Sequence, residues 1–236
     1  GGQCRACSTD ISPRYPCVEA VTGCIFLLLY FVELISGGAN LPLRGINHYR
    51  GVLWTIMYPK WDLIGLYLYH CFLFSSLLVF TAMAIDGNRI PRKLLAFCFV
   101  IAIAAPVAFP TLSLIPALPD YVRPPMANVQ SLLHGFAGAT CGLIAGGFLS
   151  RLLNIDQNSS SQRSSVLASM SLIGTMLGWQ AALCIAVLFA IGRTIRCYGC
   201  RSHETLQNGT FVGDLLVVTF LHHVLWRIEW TAMNFF

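Results

Sequence analysis

Residues 63–86 read LIGLYLYHCFLFSSLLVFTAMAID, and Leu63 to Ile85 contains no charged residue. An α-helix rises 1.5 Å per residue, so about 20 apolar residues cross a hydrocarbon layer roughly 30 Å thick. The stretch therefore predicts a transmembrane helix, with His70 its only imidazole. Asp86 closes it. An acid at a hydrocarbon boundary is costly unless it has a task, which makes Asp86 the first candidate functional residue.

Outward from this helix, further apolar stretches predict spans at 18–36, 94–118, 127–150, 166–192 and 210–226. The expected fold is all-α: a polytopic integral membrane bundle of about six transmembrane helices. Composition agrees. Hydrophobic residues make up 56% of the 236 residues and charged ones 11%, where a soluble domain carries about 25%. Mean hydropathy is +0.67. The net charge of +5 is scattered, with no basic stripe interleaved with aromatics, so the bilayer and not nucleic acid is the expected environment. Ten cysteines in so long and apolar a chain do not describe a disulfide scaffold.

Local signals refine the spans. Pro106 and Pro110 predict a kink or early end in the third. Gly135, Gly138, Gly142, Gly146 and Gly147 repeat at helical spacing in the fourth and predict close approach by a neighbouring helix. The last span is the weakest, short and carrying Asp214, His222 and His223. His70 and His134 read as buried polar helix contacts, and the adjacent His222 and His223 point to different faces and make a poor metal pair. The connector 37–62, with Trp54 and Trp61, reads as interfacial, and the serine-rich 154–165 as a polar loop. Two parts follow: a partial cysteine-bearing cytoplasmic segment, 1–17, and a transmembrane domain, 18–236.

Six spans would place the N-terminus, Asp86, the 151–165 loop and the C-terminus on one face. Basic residues then divide almost evenly between the two sides, so the positive-inside rule is silent. On this count Asp62 and Asp214 lie across the membrane from Asp86, as does the pair Cys197/Cys200.

Cys4-Arg5-Ala6-Cys7 offers two thiolates to one metal, half of a tetrahedral zinc site. Cys197-Tyr-Gly-Cys200 reads as a chance pair or a local disulfide. After Cys7 come Ile11-Ser12-Pro13-Arg14-Tyr15-Pro16, Val18-Glu19 and Thr22-Gly23, leading into an apolar helix. With Ile85-Asp86, Arg89-Ile90-Pro91, and Gly174 followed by Leu177-Gly178-Trp179-Gln180, this order resembles the bacterial prepilin peptidases (type IV leader peptidases). These are membrane aspartic endopeptidases of the bacterial inner membrane, at work in type IV pilus assembly and protein secretion.

The resemblance implies cleavage of leader sequences from type IV pilin-like precursors, with S-adenosylmethionine needed only if methylation is retained and zinc only as a structural ion. Its chemistry asks for two carboxyls sharing a proton, one ionised to activate water and one protonated. Asp86 is the candidate catalytic acid. Its partner is unresolved: the family's second aspartate falls here at Val166, and Asp156, Glu19 and Glu229 are the acids on the expected face. The family's first cysteine pair and the helix before it are also missing, and a start inside a cysteine motif leads to the expectation that an upstream part precedes Gly1. Two alternatives remain beside the enzyme. One is a catalytically inactive homologue that binds or positions pilin-like helices. The other makes Asp86 an interfacial helix-end residue paired near Arg89, Arg92 and Lys93.

Overall fold

The computed structural model describes residues 2, 6–7, 12, 14–42, 51–113, 127–152, 160–199 and 211–233. Every regular element among them is helical. Helix α1 (Arg14–Leu29) continues as a π-helical segment, Tyr30–Ile35. A short helix α2 (Val52–Met57) precedes α3 (Trp61–Ile85). Then come α4 (Arg92–Ala108), α5 (Ala127–Leu152), α6 (Ser160–Leu177), α7 (Trp179–Gly199) and α8 (Phe211–Met233).

Four helices are long and apolar enough to cross a membrane: Arg14–Ile35, Trp61–Ile85, Asn128–Leu152 and Phe211–Glu229. Trp179–Ile195 is a shorter apolar helix. Together they make an all-α membrane bundle, as the hydropathy pattern requires. The proline expectation is met: α4 stops at Ala108, and Pro110 opens a 3-10 turn over Pro110–Leu112. Phe74, Phe80, Leu73, Leu77, Phe189 and Trp226 are among the fully enclosed core side chains.

Helix α6 escapes a composition scan because it is rich in serine, and it lies at the centre of the bundle. Ser165, Ser169, Ser171 and Thr175 are all buried there. Surrounded by other helices and not lipid, its hydroxyls find carbonyls: Thr175 Oγ1 donates to Ser171 O at 2.7 Å and Ser171 Oγ to Ala139 O across to α5 at 3.2 Å. The glycine stripe meets this helix. A Cβ at Gly138 would lie 1.8 Å from Gly174 O, and one at Gly142 would lie 2.1 Å from Met170 O. Backbone therefore touches backbone, and only glycine fits.

The predicted fifth span, 166–192, is two helices. Gly178 has φ +98°. Its N–H closes α6 on Gly174 O at 2.9 Å, and its carbonyl opens α7 by accepting from Ala182 N at 3.1 Å. The left-handed residue ends the first helix as a C-cap glycine does, and the chain doubles back. Three observations fix the reversal. Ser161 Oγ donates to Asn88 O at 2.8 Å, so α6 begins at the Asp86 end of the bundle. Helices α3 and α8 are antiparallel, with Gly213 over Thr81 and Phe74 5.4 Å from Phe220. Arg193, roughly 20 Å along α7 from its start, pairs with Asp214 at 3.2 Å, back at the Asp86 end.

The chain thus makes seven passages between the two ends. This corrects the six-span count and its sidedness. Asp214 lies in the Asp86 half of the bundle, as does the last turn of α7, which contains Cys197. Glu229 and the end of α8 lie at the opposite end.

Candidate functional site

Asp86 follows the last turn of α3, where its own N–H donates to Ala82 O. Its carboxylate does not pair among Arg89, Arg92 and Lys93 in any contact seen here; Arg14 Nη1, at the start of α1, reaches Oδ1 at 2.5 Å. The bond joins two of the sequence segments on which the family resemblance rests. Both side chains face out, Asp86 being 42% accessible and Arg14 65%, so water screens the pair and its contribution to stability is about 0.2–1 kcal/mol.

The other proposed members of an acid pair are not brought together with it. Glu19 is exposed on α1 and Asp156 lies outside the described residues. Glu229 approaches His222 Nδ1 near the far end of α8. Val166, where the resemblance puts the second aspartate, is 1% exposed within the core. Asp214, set aside on sequence grounds, is in the correct half of the bundle. It too has a guanidinium: Arg193 pairs with it while lying 4.1 Å over the Phe211 ring. Each of these acids is neutralised by its own arginine, which is not the arrangement of two carboxyls sharing one proton.

Cys7 is exposed and Cys4 lies outside the described residues. The thiol pair supplies two of the four ligands zinc requires. The topological bar to a partner pair is removed, because α7 ends on the same face.

A second constellation was missed. Glu33 occupies the π-helical segment, His70 sits in α3 and His223 in α8. Glu33 Oε1 lies 2.7 Å from His70 Nδ1 and 2.6 Å from His223 Nε2. The two imidazoles stack edge to face, 4.4 Å between centroids. Asn40 joins from the following turn, its Nδ2 donating to His223 O at 3.2 Å. All four residues are buried, Glu33 and His223 completely. His70 is thus a buried polar helix contact as read, and His222 and His223 do face different partners. The overlooked signal was Glu33, a lone acid inside the apolar run FVELI. By the logic applied to Asp86, an ionisable residue within a span marks a site. The π-helical turn that carries it is itself a feature common at functional positions.

The first 32 residues match the family model described as the bacterial peptidase A24 N-terminal domain, over residues 1–32. Comparison with curated proteins and with solved structures returns no match. The chain is thus a helical membrane protein whose N-terminal segment is similar to that of a peptidase family.

Proposed function

We propose that the protein is a prepilin-peptidase-like membrane protein that receives the leader–helix junction of pilin-like precursors at its Asp86 face and positions it without cutting. The observation that carries this reading is the Arg14–Asp86 ion pair. It ties the peptidase-like N-terminal segment to the acid segment, yet leaves Asp86 paired with a base, while Val166 fills the place of the second acid with a buried aliphatic side chain. A single carboxyl cannot serve at once as base and acid in peptide hydrolysis.

The compartment proposed is the bacterial inner membrane. Among the described residues Arg14, Arg89, Arg92, Lys93, Arg151, Arg163 and Arg193 lie at the Asp86 end, against Lys60 and Arg227 at the other. Seven against two is the asymmetry of a cytoplasmic Asp86 face, the side on which a basic leader would be presented. A structural zinc on Cys4 and Cys7, completed by ligands beyond this pair, and S-adenosylmethionine for a retained methylation belong to the same reading.

A second reading, an aspartic-type endopeptidase acting on the same precursors, is favoured by one observation: Gly213-Asp214 lies in the Asp86 half of the bundle. One experiment separates the two. Purified protein in detergent is mixed with a pilin-like peptide spanning leader and helix, then assayed for crosslinking and for cleavage. Positioning without cutting gives a crosslink and an intact peptide, in wild type as in Asp86→Asn. Cleavage lost in both Asp86→Asn and Asp214→Asn selects the enzyme. Neither crosslink nor cleavage refutes both readings.

A further inference from the structure

We infer that Glu33, His70 and His223 form a divalent transition-metal site inside the bundle, toward the end opposite Asp86. The three side chains come from three helices, so the site exists only once α1, α3 and α8 have packed. One ligand atom from each lies within 4.8 Å of the others. Nδ1 of His70 and Nε2 of His223 aim at the same carboxylate oxygen, at 2.7 and 2.6 Å. In a tetrahedral zinc site with bonds of about 2.0–2.1 Å, ligand atoms stand roughly 3.3–3.4 Å apart. Opening the cluster by well under an ångström admits an ion in place of the two bridging protons.

The polar atoms around this point are not satisfied by protein. Glu33 Oε2, His70 Nε2, His223 Nδ1 and Asn40 Oδ1 are all buried without a hydrogen-bond partner. Buried polar atoms are rarely left so, and four around one carboxylate call for an explanation. A cation supplies one. It draws in the unpartnered carboxylate oxygen, and it offsets a charge that is expensive to hold among membrane helices. The bridging protons leave or move to the outer ring nitrogens, since an imidazole binds metal through a free lone pair.

The donor set selects the metal class. Two imidazoles with one carboxylate suit zinc, iron(II) and cobalt(II), whereas calcium and magnesium prefer oxygen ligands throughout. Three protein ligands leave one position open in a tetrahedral shell. Asn40 stands beside it, its Nδ2 3.4 Å from His223 Nε2.

The test uses the full chain in detergent, stripped with a chelator and titrated with cobalt(II). The expected result is one equivalent bound, with visible ligand-field absorption, no intense near-ultraviolet thiolate band, and displacement by zinc. Glu33→Gln and His223→Gln are expected to weaken binding by about a hundredfold or more, with Cys4→Ser and Cys7→Ser without effect. Folding of each variant is checked by helical circular dichroism and elution volume. Should the site variants not fold, the wild-type spectrum decides. No absorption at excess cobalt, a thiolate band in its place, or affinity unchanged in folded Glu33→Gln would each overturn the assignment.

Discussion

Arg193 on α7 meets Asp214 on α8 at 3.2 Å, with both side chains largely withdrawn from solvent. The pair closes the hairpin that begins at Gly178 and decides on which side the chain ends. If α7 instead ran onward from α6, these residues would stand at opposite ends of the bundle. Removing one member leaves the other buried and unpaired, at a cost of about 3–5 kcal/mol. Arg193→Ala should therefore lower the detergent unfolding midpoint sharply. Arg193→Ala/Asp214→Ala should recover part of it, and a double mutant no better than the single would show that the pair is not coupled.

The same hairpin sets the membrane topology. A reporter fused after Met233 should report the side opposite to one in the 86–91 turn, and residues 200–210 should label from the Asp86 side. A C-terminus on the Asp86 side would restore the six-span arrangement.

Gly178 is constrained twice. Its φ of +98° is strained for any side chain, and a Cβ there would lie 2.6 Å from the ring of His134. Backbone strain alone costs about 1–3 kcal/mol. Gly178→Ala is expected to destabilise by at least that amount, and Gly178→Ala/His134→Ala to recover only the steric share. Equal midpoints for Gly178→Ala and wild type would mean that no left-handed turn is needed.

The α5–α6 contact should be equally intolerant. Gly138→Ala puts a methyl 1.8 Å from Gly174 O, which forces the two backbones apart and exceeds the usual 1–3 kcal/mol of overpacking. Gly23, whose Cβ would meet nothing within 4 Å, is the control. Gly23→Ala should express and elute as wild type does, with Gly138→Ala aggregating or reduced in yield.

Arg14→Ala should change stability by less than about 1 kcal/mol, because the Asp86 pair is exposed. Its effect belongs to the peptide. Crosslinking of a pilin-like precursor should fall in Arg14→Ala and in Asp86→Asn with the fold retained. An unchanged crosslink in both would separate the ion pair from the function proposed for that face.

Much of this was legible in the chain. Hydrocarbon demands a long apolar helix for each crossing, so Leu63–Ile85 declared itself and the other spans followed. Gly138 and Gly142 announced a close helix contact because three- and four-residue spacing puts small residues on one face. Asp86 was visible as the acid ending a clean span, and the peptidase-like run before Thr22 as a pattern of residue types. The interior acid Glu33 was equally open to view, but its weight is lost when apolar length is counted and single charges are not.

What tertiary structure alone decided is direction and meeting. Residues 166–192 are continuous in hydropathy whether the chain goes on or turns back, because hydropathy carries no sign of travel. Only the φ of Gly178 and the contact of Arg193 with Asp214 distinguish the two. Glu33, His70 and His223 lie far apart in sequence, and no periodicity connects them. They converge because three helices must bury their polar groups against one another, and the place where they do so is fixed by packing.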